Sequence, residues 1–317
     1  MPILKEILGT SIQSVASDPS NPVEGELWYN TTSKTFKGAK IVTSGSWATG
    51  GNMGIAREGL GGAGTQTAAL GFGGKNYSPS APETATEEYD GSAWTNGGNM
   101  GTARYVLAGA GTQTAALGFG GYTPQSTPND HTDATEEYNG TSWTAGGNMG
   151  FARYRLAGAG TQTAGLGFGG YYQTDETEEY DGSAWTAGGN MGTGRRELAG
   201  AGTQTAALGF GGDPSPNATE EYDGTSWTAG GNMGTGRGQL AGAGTQTAGL
   251  AFGSGLSELY DGSAWTNGGN MINWNFFLAG AGTQTAGLAF GGYNGTNIGQ
   301  TEEYEGPGPV VKTLTTS

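Results

Sequence analysis

The chain has 317 residues, of which 66 are Gly, 28 are Asp or Glu, 13 are Lys or Arg and none is Cys, for a formal net charge of −15. That acidity, with no basic run to offset it, argues against a nucleic-acid or anionic-membrane partner, and the missing thiol excludes disulfides, thiolate metal sites and cysteine nucleophiles. So much glycine with only 13% charged residues would suit low-complexity disorder, but 8 Trp, 14 Tyr and 10 Phe supply the apolar volume of a packed core.

At the N-terminus, Met1–Thr10 carries charges inside its only apolar stretch and so lacks the apolar region of a secretory signal. Nothing along the chain approaches the ~20 apolar residues of a membrane span. The expectation is a product made in the cytoplasm, without membrane insertion. Asn21–Gly38 reads as a small hairpin whose apolar side chains are Leu27, Trp28, Tyr29 and Phe36. An isolated hairpin is marginal in water, so residues 1–44 are expected to dock on the rest of the chain or on another subunit, as an attachment and oligomerisation arm.

From residue 45 to residue 306 one unit recurs. It runs Leu-Ala-Gly-Ala-Gly-Thr-Gln-Thr-Ala, Leu-(Gly/Ala)-Phe-Gly-Gly, a variable stretch, Thr-Glu-Glu-Tyr-(Asp/Asn)-Gly, and Trp-Thr-x-Gly-Gly-Asn-Met. Three landmarks each occur six times: Gln66, Gln113, Gln162, Gln204, Gln246 and Gln284; Tyr89, Tyr138, Tyr180, Tyr222, Tyr260 and Tyr304; Trp47, Trp94, Trp143, Trp185, Trp227 and Trp265. Subtracting the Gln positions gives spacings of 47, 49, 42, 42 and 38, which fit four-stranded blades of about 40–50 residues.

Four short strands can be drawn in a unit: a at Leu107–Gly111, b at Ala115–Gly120, c at Thr135–Tyr138 and d around Trp143. Asp-Gly or Asn-Gly between c and d, as at Asn139-Gly140, predicts a tight hairpin with both turn residues at positive φ. Gly and Ala dominate strand a, as suits an innermost strand where neighbouring blades converge. A helical reading fails, because each Gly costs ~1 kcal/mol against Ala in a helix.

The ends carry the closure argument. Trp47 precedes any a–b–c set, and the last set, Leu278 to Tyr304, has no Trp strand after it. The predicted fold is therefore all-β: a six-bladed β-propeller of four-stranded antiparallel blades over residues 45–306, with the segment around Trp47 beside Tyr304 closing the sixth blade and removing the open edge. Lys40–Thr43 imitates strand c and competes with Thr301–Tyr304 for that place. Residues 307–317 are expected as an extended tail that can add a strand beside the N-terminal hairpin.

Gly-Gly after strand b, Tyr and Trp separated by a tight turn, and Met-x-x-x-Arg (Met100 to Arg104, Met149 to Arg153, Met191 to Arg195) resemble the kelch repeat. The resemblance covers about residues 45–306, although Gly-Thr-Gln-Thr-Ala lies outside the usual kelch pattern. Asn21–Gly38 resembles short modules that introduce bacteriophage tail-fibre and other virion proteins. That resemblance implies a virion location, with other virion subunits as partners.

Candidate chemistry is sparse. His131, the single histidine, sits in the variable Pro128–Asp133 stretch and reads as a loop residue. The pairs Glu87-Glu88, Glu136-Glu137, Glu178-Glu179, Glu220-Glu221 and Glu302-Glu303 have the residue types of glycosidase acid–base chemistry. Adjacent strand residues point to opposite faces, however, and the motif recurs in five blades, so a repeated structural carboxylate is expected. Arg57, Arg104, Arg153, Arg195 and Arg237 resemble the Arg cluster of sialidase-type propellers, but one Arg per blade predicts a local ion pair with the neighbouring Glu pair. No Gly-rich string opens a helix or precedes Gly-Lys-Ser/Thr, so none reads as a phosphate cradle. No catalytic, cofactor-binding or metal-ligating residue is expected.

In an antiparallel blade the b–c and d–a connections emerge on one face, and both are where the copies differ. The expected binding face carries Tyr122, Tyr171 and Tyr293 from b–c segments, and Tyr105, Tyr154, Arg155, Arg196, Trp274, Phe276 and Phe277 from the positions after each Arg. Ile272–Phe277 departs most from the repeat, and its clustered aromatics suit stacking on a sugar, anchoring a protein or adjusting the packing of the closing blade. The function expected is a non-enzymatic phage virion protein, tail, fibre or decoration, whose propeller face binds a host-surface glycan or another virion subunit. The alternative is a cytoplasmic or surface kelch-like bacterial adaptor or adhesin; a propeller glycoside hydrolase is the least favoured.

Overall fold

The computed structural model describes residues 12–20, 22–23, 25–42, 44–77, 80–123 and 130–313. Expectations that fall on Met1–Ser11, on 124–129 of the second variable stretch, or on the last four residues lie outside them. The described chain is all strand, turn and loop, with no helix and hence none long and apolar enough to cross a membrane. It divides into two compact units: residues 1–45 with 307–317, and Ser46–Gly306.

In the first unit, the predicted hairpin pairs Leu27–Asn30 with Thr35–Val42. Gln13–Val15 adds in parallel on one side, and the C-terminal strand Gly308–Thr313 adds antiparallel on the other. Lys40 therefore pairs with Val310, and the third strand of the sixth repeat is Thr301–Glu305. Asp18 organises this unit: it accepts from the Trp28 indole at 3.0 Å, from Asn30 at 2.7 Å and from Lys37 at 2.6 Å. Trp28 is buried, Leu27 and Tyr29 are half-buried, and Phe36 is exposed while resting 5.0 Å from Tyr29.

The second unit is a propeller-like series of four-stranded antiparallel sheets, one per repeat. In the second repeat, Ala108–Thr112, Ala115–Phe119, Thr135–Tyr138 and Trp143–Ala145 take the places of a, b, c and d. In the last, Ala279–Gly282, Ala286–Phe290 and Thr301–Glu305 are joined by Ser46–Thr49, with Trp47 opposite Tyr304. Strand a is glycine-rich because neighbouring copies nearly touch. A Cβ on Gly109 would stand 2.5 Å from the Gly62 carbonyl oxygen, and one on Gly62 would stand 2.7 Å from that of Gly280. The cores lie between sheets: Leu70 and Phe72 of one copy pack with Met100, Leu107, Ala116 and Tyr138 of the next.

The c–d connection corrects one expectation. Tyr89 pairs with Trp94, so four residues form the loop, and of Asp90-Gly91 only Gly91 has positive φ, at 93°. Asp90 instead accepts from the Ser92 and Ala93 backbone N–H groups, both at 2.8 Å, an Asx turn that needs no left-handed aspartate. Those hydrogen bonds, that of Ala93 foremost, hold the Asp90 carboxyl below its ordinary range.

Candidate functional site

Most repeated polar groups are consumed in holding the sheets together, which decides what is left to bind. Each motif glutamine reaches back to the preceding copy: Gln113 Nε2 donates to the Ala69 carbonyl at 3.0 Å and to that of Tyr89 at 2.7 Å. Gln66 does the same across the chain's ends, to Gly287 and Tyr304. The Trp143 indole donates to Thr86 Oγ1 at 2.9 Å, and the Trp47 indole to Ser257 Oγ at 3.2 Å.

The Glu pairs divide their labour. In Glu87-Glu88, Glu87 is buried with Arg57 at 3.1 Å, whereas Glu88 accepts the Tyr138 hydroxyl of the next copy at 2.5 Å. Tyr138 is pushed up to about 12, by burial first and then by that carboxylate. The carboxylates thus lack the shared, solvent-facing geometry of an acid–base pair.

The arginines form no solvent-facing cluster. Arg104 is fully buried and donates to the Gly120, Ala134 and Gly118 carbonyls at 3.1, 2.5 and 3.3 Å and to Glu136 at 3.0 Å. Burial pulls its guanidinium down to about 10, against the opposing pull of Glu136. Arg57 and Arg153 have the same set of partners, and Arg195 and Arg237 keep two of the carbonyls and the glutamate.

The residues two positions beyond each Arg, or its replacement, form a ring. Val106 N–H donates to Gly59 O, Arg155 to Val106, Glu197 to Arg155, Gln239 to Glu197, Phe277 to Gln239 and Gly59 to Phe277, at 2.6 to 3.0 Å. All have positive φ, between 48° and 61°; only one is glycine, and non-glycine residues in this region carry strain that the surroundings must compensate. Their side chains crowd together. Arg155 pairs with Glu197, Gln239 donates to Glu197 at 2.9 Å, and the Arg155 guanidinium lies 5.8 Å from the Phe277 ring. The cavity beneath is only about 80 Å³.

Outside that ring, the d–a and b–c segments meet through backbone bridges: Glu58 with Lys75, Tyr105 with Tyr122, Arg196 with Asp213, Phe276 with Tyr293. Their side chains make a continuous arc. Lys75 Nζ stands 5.4 Å over Tyr105, which meets Tyr122 at 5.1 Å; Tyr122 meets Tyr154 at 5.5 Å, and Tyr154 stacks on Tyr171 at 4.5 Å. The Arg196 guanidinium covers Tyr171 at 5.6 Å and pairs with Asp213 at 2.9 Å. Tyr122 donates to Asp130 at 2.6 Å, a carboxylate that raises its phenol to about 12. His131 bridges the Tyr122 backbone and lies 6.1 Å from the Tyr154 ring.

The arc ends at a cleft of about 600 Å³ lined by Arg196, Asp213, Thr235, Gln239, Trp274 and Phe276. Trp274 is 62% exposed and meets Phe276 edge-on at 6.4 Å. Tyr105, Tyr122, Tyr154, Tyr171 and Arg196 thus come together; Trp274 and Phe276 line the cleft, with Tyr293 bridged to Phe276; Arg155 joins the arc to the ring of hydrogen bonds, its guanidinium 5.8 Å from both the Tyr154 and the Phe277 rings. Lys75, Asp213 and Tyr172 belong to the variable b–c segments without having been singled out from them; Tyr172 is 79% exposed and 4.5 Å from Tyr171. Nothing in the pattern marked Tyr172 beyond its place in a variable segment. An arrangement of this kind offers apolar ring faces beside hydrogen-bonding charges, chemistry suited to stacking and orientation. No protein-family model matches this chain, and no match is found among curated proteins.

Proposed function

We propose that Ser46–Gly306 is a closed six-bladed, kelch-like β-propeller acting as a non-enzymatic binding module of a phage virion. Its variable face binds a host-surface glycan or another virion subunit, and the unit of residues 1–45 with 307–317 serves attachment. Closure is supported by the ring of hydrogen bonds in which Gly59 donates to Phe277, and by the reach of Gln66 to Tyr304. The observation that carries the binding role is the division of labour: the repeated Gln, Tyr, Trp, Arg and Glu are taken up in latches, while the unrepeated aromatics converge in one arc and cleft.

Glycan binding is tested by presenting the purified chain to a panel of bacterial surface polysaccharides, with Tyr154→Ala, Tyr171→Ala and Trp274→Ala as probes. Loss of binding in these variants, with unchanged folding, is expected; a bound glycan whose affinity none of them alters would refute the assignment of the face. Mass spectrometry of purified virions tests the location, and particles that never contain the chain would favour the adaptor or adhesin reading.

A further inference from the structure

The sixth repeat keeps the arginine socket but not the arginine. Glu302 lies opposite Ala289 as Glu87 lies opposite Gly71, and Gly291 N–H donates to Gln300 O as Gly73 N–H donates to Ala85 O, each at 3.0 Å. The groups that receive Arg57 in the first repeat, the Gly71, Gly73 and Ala85 carbonyls and Glu87, therefore have register equivalents in Ala289, Gly291, Gln300 and Glu302. Where the other copies place Arg, this one places Asn275, 3% exposed. Its side chain ends several bonds short of the guanidinium nitrogens.

The hydrogen-bond balance is inverted with it. In the other five repeats the orphaned buried atom at the Arg position is a donor, Nε; at the corresponding Asn275 it is an acceptor, Oδ1, and Gln300 Oε1 is a second buried oxygen without a partner. Glu302 is 1% exposed and accepts from Ile272 N–H at 2.8 Å and from Asn273 N–H and Nδ2 at 3.0 and 2.9 Å, all neutral donors. A buried carboxylate among surplus acceptors favours a cation, and buried acceptors without donors are costly.

We infer that the sixth repeat is a socket for a guanidinium group supplied from outside the repeat, by the arginine side chain of a partner or by a small free guanidinium compound. The planar fork fits because carbonyls and a carboxylate in this register hold one in the other five copies.

The test follows thermal unfolding of the full chain by tryptophan fluorescence, with about 10 mM guanidinium chloride, L-arginine amide or NaCl. Guanidinium at this concentration should raise the midpoint by about 1–3 °C, NaCl should not, and Asn275→Arg should be more stable than the parent and unresponsive. Glu302→Gln, where folded, should lose the response. A response to both guanidinium and L-arginine amide marks a socket open to a tethered side chain, and a response to guanidinium alone marks a small free ligand. No rise with either, an equal rise with NaCl, or an undiminished rise in Asn275→Arg would overturn the inference.

Discussion

Trp47→Ala is the most demanding perturbation of the closure argument. Trp47 is 8% exposed, lies 5.3 Å from Phe252 and 5.0 Å from Tyr304, and donates to Ser257. Truncating a buried Trp costs about 3–5 kcal/mol through lost burial and the cavity left behind, and it weakens the strand that pairs with the outer edge of Thr301–Glu305. For a unit of this size the transition should fall by roughly 6–15 °C. Thermal and urea unfolding followed by fluorescence measure the two quantities, with Trp185→Ala as calibrator, since Trp185 makes the same contacts to Phe119, Tyr180 and Thr135 within consecutive repeats. If Trp47→Ala costs less than about 1 kcal/mol while Trp185→Ala costs several, Ser46–Thr49 does not hold the ring closed.

Gln162→Ala should lower stability by about 1–3 kcal/mol by leaving the Ala116 and Tyr138 carbonyls unpaired, read as a shifted urea midpoint. Arg104→Ala should cost about 3–5 kcal/mol because it strands buried Glu136, and pairing Arg104→Met with Glu136→Leu should recover part of that; failure of the double variant to recover any would show that the carbonyl contacts dominate. In the N-terminal unit, Asp18 is held down to about 2, chiefly by Lys37 and then Trp28 and Asn30. A depressed carboxyl favours the folded state above its ordinary value near 4, so its contribution should persist at neutral pH and fade as pH falls from about 4 through 2. The Trp28 indole N–H resonance, followed by NMR, reports it; an unshifted titration near 4 would contradict the network.

The strand inventory was readable because period, Gly content and turn residues are local properties. The Asp-Gly turn was misread because a side-chain acceptor replaced the left-handed aspartate, as Asp90 shows. The role of Gly-Thr-Gln-Thr-Ala was present as a spacing: Gln follows the Tyr whose carbonyl it holds by 24 residues in Gln113, Gln162, Gln204, Gln246 and Gln284 alike, although the copies differ in length. That constancy marks a contact running from the end of one copy to the start of the next.

The repeat, its four-strand content, the odd Trp at one end and the missing strand at the other are all consequences of side-chain order along one chain, and so are legible without coordinates. Which repeated groups are taken up in contacts between copies depends instead on the fold. Adjacent glutamates part because a strand sends them to opposite faces, one to a buried Arg and one to the neighbouring copy's Tyr. Arg155, far from Phe277 in sequence, reaches its ring while also covering Tyr154, which in turn stacks on Tyr171. Such partnerships depend on how one sheet packs against the next, which no local pattern encodes.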